Sequence, residues 1–414
     1  ARTERQPRRH PPTTPPNPPP AAAHAAPIPS RPTAPARPTE PNAPARIAGL
    51  DILKTLAIFF VIAYHAGAGL YAAALMKDAP HAVISQLNYF ATGLLATCIP
   101  IFFFVNGVLL FNRPLDIRRH IRKMVTLIAL TVVWSVGTQV AFVAMGQWER
   151  LSARQIVHNV WQPVNQLNNH LWFLPALFVM YCFFPLMKSA FDQHRGWIEA
   201  FTVVAVLSTF VVVGVQMLID VWQFLRYGNV GNQATVDIWN QFNPLRGIEG
   251  YSLVYFMLGG LLSSQRQPGH RRADQRSTEW IPALIVLIAA MVVYFGYNLT
   301  FAFSGQPGHD VVWGYSNPLV LIMTVSLYYM LRKVRLRTRI ASWVFTLIGA
   351  NTLGVYFIHW ILIAAFRALH INFIAMLGPG LWACCAEALV ILAISCAMCW
   401  LMRRIPGVRR LVML

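Results

Sequence analysis

The chain has 414 residues, of which 56% are apolar and only 12% carry a charge. That balance excludes a single water-soluble domain and describes a protein that buries itself in a bilayer. The formal net charge of +19 would suggest nucleic acid in a soluble protein. Here the basic residues concentrate in alternate loops, which makes the charge a topology signal and removes nucleic acid as a partner.

In chain order, residues 1–46 come first and differ from everything after them. "PPTTPPNPPPAAAHAAPIPSRPTAPARPTEPNAPAR" is rich in Pro and Ala with scattered Arg. Such a segment cannot bury enough apolar surface to offset its ordering entropy, so a disordered cytoplasmic tail is expected. It has no apolar stretch of the kind a signal peptide needs. A tether, a contact with the membrane surface and an extension without function all fit this composition.

A bilayer-spanning helix needs about 20 mostly apolar residues. Ten such segments follow, at roughly 50–74, 88–111, 121–145, 171–188, 198–219, 247–263, 280–303, 314–331, 345–369 and 380–402. None has the alternation of a barrel strand, so the expected fold class is all-α, a polytopic membrane protein of about ten transmembrane helices. The loops on one side hold 20 Lys and Arg, those on the other 6. The positive-inside rule then places both termini and every basic loop in the cytoplasm. The expected organisation is a tail at 1–46, a membrane domain at 47–405 and a short cytoplasmic tail at 406–414. All six cysteines (Cys98, Cys182, Cys384, Cys385, Cys396 and Cys399) fall inside spans. They read as buried apolar-like side chains, and no metal site is expected.

Ionisable groups inside spans are expensive and therefore candidates for function. The first span, "RIAGLDILKTLAIFFVIAYHAG", begins with Arg46, Asp51 and Lys54 and carries His65 eleven residues beyond Lys54. At 1.5 Å per residue this is about 16 Å, near mid-membrane if Lys54 marks the interface. Imidazole is the usual general base, although a histidine that merely hydrogen-bonds a neighbouring helix is the plainer reading. Asp51 and Lys54 share a helical face, either as an interfacial ion pair or as a polar floor for an anionic ligand.

"RRHIR" groups Arg118, Arg119 and Arg122 where the third span begins. Topology alone explains arginines in this loop, and guanidinium forks also suit phosphate oxygens. "HLWFL" puts His170 and Trp172 at the outer interface, where an aromatic belt needs no functional account. Arg246 and Glu249 stand at the outward end of the sixth span. Tyr356 and His359 lie deep in the ninth, and Glu387 needs a partner within the last.

Taken together, these elements resemble acyltransferase family 3, integral membrane acyltransferases, in particular members without a fused extracellular hydrolase-like domain. The resemblance covers about 47–405. It rests on "GLDILKTLAIFFVIAYH" for the opening Asp-x-x-Arg/Lys…His helix, "FFFVNGVLLF" for the second-helix element and "RRHIR" for the Arg-Arg-x-x-Arg motif. "HLWFL…Y…P" and "GVYFIHW" match two further elements. In this chain Lys54 replaces the commoner arginine, which removes a bidentate fork, and Asn106 stands where serine is usual.

The resemblance implies transfer of an acyl group, usually acetyl, from cytoplasmic acyl-coenzyme A to a hydroxyl of a glycan or other envelope carbohydrate at the outer face. It implies His65 as the essential histidine with Lys54 and Asp51 beside it, and Arg118, Arg119 and Arg122 as the acyl-CoA-binding group. His170, Trp172, Glu249, Tyr356, His359 and Asn106 become acceptor-side or supporting residues. Acetyl-CoA is then a donor substrate, with no permanently bound cofactor. The expected partners are that donor, a carbohydrate acceptor and the lipid bilayer. A bacterial inner membrane follows from the family. Whether His65 acts as a base or carries the acyl group transiently stays open. The alternative class is a multi-span transporter or flippase of an envelope precursor, which also uses intramembrane ionisable groups.

Overall fold

The structure is a computed structural model, described here for residues 47–161, 167–230, 250–264, 279–307 and 314–413. The Pro/Ala-rich tail at 1–46, the basic loop at 266–276 and the residues Arg46, Arg246 and Glu249 lie outside the described residues.

Among the described residues the regular structure is helical, and eight stretches are long and apolar enough to cross a membrane. Two shorter apolar helices, Gly250–Ser263 and Pro318–Leu331, fall on the remaining two expected spans. The protein is a polytopic all-α membrane protein, as its composition requires.

The first apolar run is two helices instead of one. α1 (Ala48–His65) ends at the histidine, and α2 (Ala68–Asp78) starts after Gly67, whose φ of +102° breaks the helix. A side chain at position 67 would be strained in that left-handed backbone, which is why glycine sits there. α3 (Val83–Thr92) passes through a short 3-10 turn into α4 (Cys98–Phe111). α5 (Ile117–Ala144) is capped by Asp116, whose carboxylate accepts from the Arg119 amide at 3.0 Å.

After α6 (Ala153–Trp161), α7 (Phe173–Gln193) is followed by α8 (Arg195–Val206). A π-turn at Leu207–Val211 carries α8 into α9 (Val212–Tyr227). α10 (Gly250–Ser263), α11 (Trp280–Phe303) and α12 (Pro318–Leu331) complete the middle of the chain. α13 (Arg339–Ala368), the five-residue α14 (Phe373–Leu377) and α15 (Leu381–Met402) close it.

Burial separates an inner group of helices from an outer one. The apolar windows of α1 and of the α3–α4 stretch are 67% and 72% buried, against 28% for α5, α8–α9 and α11. The outer helices turn Val125, Ile128, Leu218, Trp222, Ile285 and Val292 outward, as a lipid-facing surface requires. Inside, α1 packs against α4, α12, α13 and α15. α4 and α10 meet backbone to backbone: a Cβ on Gly107 would lie 1.9 Å from the Phe256 carbonyl oxygen, and one on Gly259 2.0 Å from that of Phe104. Close approach of small residues is the usual way membrane helices gain packing without a hydrophobic driving force. α1 and α13 run side by side in the same sense, because Lys54 reaches the Gly349 carbonyl while His65 meets His359. That pairing of parallel helices builds the site.

Candidate active site

His65 closes the last turn of α1. Its Nδ1 lies 2.8 Å from Nε2 of His359 on α13, with the two rings nearly parallel (6°). His359 is fully buried, and its own Nδ1 lies 3.2 Å from the Val355 carbonyl one turn earlier. A carbonyl can only accept, so that nitrogen donates. With both rings neutral, His359 Nε2 is then the acceptor and His65 Nδ1 the donor. The chain of bonds leaves the proton-accepting lone pair of His65 on Nε2, for which no partner is found among the described residues. His65 is half-buried, whereas His170 and His359 are buried.

Three aromatic side chains frame the pair. Trp360 sets its edge on His65 (ring centroids 5.0 Å, 70°) and stacks on His170 (5.4 Å, 22°). Its indole N–H donates to the Leu167 carbonyl at 3.0 Å, which fixes the ring. Tyr356 touches His359 and Phe173, and its hydroxyl donates to the backbone carbonyl of His170. The His170 ring meets His359 edge-on at 5.8 Å, and neither buried ring nitrogen has a hydrogen-bond partner among the described residues. Buried polar atoms left in that state are uncommon and costly.

A cavity of about 390 Å³ lies below this cluster. Phe173 and Tyr356 line its inner end, Asn106 and Tyr181 its wall, and Lys54, Lys123 and Arg403 its basic end. Along α13 it spans Ala350 to Tyr356, about 9 Å of helix. Tyr356 therefore stands between the cavity and the paired imidazoles.

The other residues singled out in the sequence take distinct places. Asp51 is 2% exposed and holds Lys54 at 3.2 Å, and Lys54 also donates to the Gly349 carbonyl at 3.3 Å. Gly349 leaves room for the carboxylate, since a Cβ there would lie 2.5 Å from Asp51 Oδ1. The pair thus ties α1 to α13 and presents the ammonium to the cavity. Asn106 accepts from the Tyr181 hydroxyl at 3.2 Å and donates to the Phe102 carbonyl at 2.8 Å. Trp172 stacks on Tyr315 (6.0 Å), away from the imidazoles. Glu387 interacts electrostatically with Arg367. Glu249 lies outside the described residues.

Arg118, Arg119 and Arg122 are exposed. The histidine between them explains why: His120 is buried, with its ring 2.8 Å from the Tyr181 carbonyl. At about 100° per residue, Arg118 and Arg122 fall on the face of α5 opposite His120. Arg119 falls on the flanking stripe with Lys123 and Thr126.

Sequence reasoning missed Trp360, Lys123 and Arg403. Trp360 directly follows a singled-out histidine and could have been taken with it. Lys123 directly follows the quoted "RRHIR" cluster, but only the inward anchor at His120 shows that it faces the cavity. Arg403 belongs to a run that topology alone accounted for.

Residues 47–404, 358 of the chain's 414 residues, match the family model described as the acyltransferase domain, that of acyltransferase family 3. No curated protein and no solved structure matches the chain. With the helical membrane body, the paired histidines on α1 and α13 and this coverage, the chain belongs to acyltransferase family 3, and it is a membrane acyltransferase.

Proposed function

We propose that the protein moves an acyl group, acetyl, from acyl-coenzyme A on the cytoplasmic side to a hydroxyl of a glycan or other envelope carbohydrate at the outer face of a bacterial inner membrane. The observation that carries this reading is the Val355–His359–His65 hydrogen-bond chain, which leaves His65 Nε2 without a partner among the described residues, while Tyr356, in contact with His359, lines a cavity whose far end is basic. Lys54, with Asp51 as its anchor, and the arginines Arg118, Arg119 and Arg122 supply positive charge on the side from which an anionic donor would come.

In this scheme the acceptor hydroxyl gives its proton to His65 Nε2 as its oxygen attacks the thioester carbonyl. His65 becomes an imidazolium whose Nδ1–H stays bonded to His359, and the carbonyl end of α1 favours that positive charge. The tetrahedral intermediate collapses, the C–S bond breaks, and the coenzyme A thiolate takes back the proton from His65. The ester forms with no net proton change. His170 carries two buried ring nitrogens without partners, and a substrate oxygen bound there would satisfy one of them. Such a donor, fixed by stacking on Trp360, is suited to the developing oxyanion. Asn106 and Tyr181 supply polar groups along the path of the pantetheine arm, and Trp172 shapes the outer approach.

The test is purified protein incubated with acetyl-coenzyme A, with thiol release followed in the presence of envelope carbohydrate. Wild-type protein should release thiol in step with ester formation, and mass analysis of envelope glycans from cells lacking the protein should show the acetyl groups gone. Movement of a lipid-linked precursor across vesicles without thioester consumption would establish the transporter class instead.

A further inference from the structure

Resting on the reading of the donor as an acyl-coenzyme A, we infer that its phosphates are held by the segment that follows α15. That segment supplies Arg403, Arg409 and Arg410, joined by Lys123 of α5.

Three observations converge. First, a second and larger cavity, about 660 Å³, adjoins the one below the histidines. It is lined by Thr126, Arg403, Arg409, Arg410 and Met413, and it shares Arg403 and Met413 with the inner cavity. The two form an antechamber and an inner chamber with one arginine at their junction. A donor with a bulky phosphorylated end and a slender thioester arm needs that sequence of spaces.

Second, the segment is built into the body. Gly407, with φ of +87°, turns the chain back after α15. The Leu411 carbonyl then accepts from the Trp134 indole at 2.8 Å, and Val412 is 1% exposed. Gly354 of α13 makes room for it, since a Cβ there would lie 2.9 Å from Val412 Cβ. Arg403 is aimed by its bond to Asn351 Oδ1 at 2.9 Å, while Arg404 turns away onto the Trp400 ring at 3.8 Å.

Third, these cations have no counter-ion among the described residues. No Asp or Glu lines either cavity, and no ion pair to Lys123, Arg403, Arg409 or Arg410 is found among the described residues. Three guanidinium groups and an ammonium around a concave space repel one another and concentrate a positive field. An anion with several oxygens relieves that repulsion, and planar guanidinium forks fit phosphate oxygens. Arg118 and Arg122 project from the opposite face of α5, as the buried His120 dictates.

The experiment compares KM for acetyl-coenzyme A and for its 3′-dephospho analogue in the full chain and in two double variants. Arg409→Ala with Arg410→Ala should raise KM for acetyl-coenzyme A roughly 10- to 100-fold, with kcat within about twofold. It should also shrink any preference for the 3′-phosphorylated donor, and Arg409→Lys with Arg410→Lys should recover part of the loss. Wild-type turnover with an unchanged KM in the Arg409/Arg410 variant overturns this inference and leaves the donor reading standing. A wild-type protein that releases no thiol from acetyl-coenzyme A overturns both.

Discussion

The imidazole cluster and the basic mouth lie at opposite ends of one set of cavities, and they are held in opposite ways. At the inner end every group is fixed by a neighbour: His65 by His359, His359 by the Val355 carbonyl, Trp360 by Leu167, and Tyr356 by His170. At the basic end Arg409 and Arg410 are exposed on a short turn after the last helix, and among the described residues only Arg403 and Lys54 of these cations are aimed by hydrogen bonds. A reacting proton has to be placed within a few tenths of an ångström, so its carriers are held by packed, short-range bonds. A multiply charged phosphate group is attracted over a longer range, so several long side chains without a fixed geometry suffice. Substitutions in the first region should therefore act in large steps and those in the second in graded, salt-dependent ones.

The sharpest break should come at His65. His65→Ala removes the only imidazole of the cluster that keeps exposed surface, and turnover should fall by about 10²- to 10⁴-fold while the protein still inserts and folds. Thiol release by purified variant, beside its melting curve, checks this; turnover near the wild-type level would dismiss the base. Next in size is His359→Ala, which leaves the base but frees its Nδ1 from the partner that sets the tautomer. A loss of about 10- to 100-fold in kcat with KM for the donor little changed is expected. His359→Gln, whose carbonyl can still accept from His65 Nδ1, should recover part of it. An effect confined to KM would place His359 in binding instead of orientation.

Tyr356→Phe should weaken turnover less. It keeps the ring that separates the cavity from the histidines and loses only the hydroxyl bond to the His170 carbonyl, so a loss of about threefold to tenfold in kcat is expected. Tyr356→Ala would remove the partition itself. Acetyl-coenzyme A hydrolysed without acceptor by that variant, and not by Tyr356→Phe, would show that the ring keeps water from the thioester. Equal coupling in both variants would show that it does not.

Much of this architecture was legible in the sequence, and unevenly so. Hydropathy alone located the helical spans, because length and apolar content decide whether a helix crosses a bilayer. The break after His65 was not legible as a break: "YHAGAG" continues an apolar run, and only the left-handed backbone at Gly67 shows that the histidine ends a helix. His65, Tyr356 and His359 stood out singly as polar groups in apolar surroundings. Their meeting was not visible, because it depends on α1 and α13 running parallel in register, which follows from tertiary packing and not from either segment. The basic mouth was hardest to read. Arginines at helix ends satisfy the positive-inside rule whether or not they bind a ligand, so composition could not single out Arg409 and Arg410. The buried Val412 and the Trp134 bond to the Leu411 carbonyl, which build that segment into the body, do so.

The smallest expected effect concerns two cations that do have a counter-ion, and it tests whether the mouth is special. Arg332 and Lys333, just after α12, both bond to Glu279, which precedes α11; the Lys333 contact is 2.6 Å. First the Arg332 guanidinium and then the Lys333 ammonium hold the Glu279 carboxyl below its ordinary range. Because the folded-state value is depressed, the stabilisation is present at neutral pH and is lost as acidification below the ordinary glutamate range protonates the carboxyl. Glu279 is 44% exposed, so screening leaves little: Glu279→Gln should lower Tm at pH 7 by about 1–2 °C, and the difference should fade toward pH 3.5. Its KM for acetyl-coenzyme A should not change, since the two cations it unpairs line neither cavity. A Glu279→Gln protein that instead binds the donor more tightly would mean that any unpaired cation on this face recruits phosphate. The assignment to Arg403, Arg409 and Arg410 would then lose its basis in geometry.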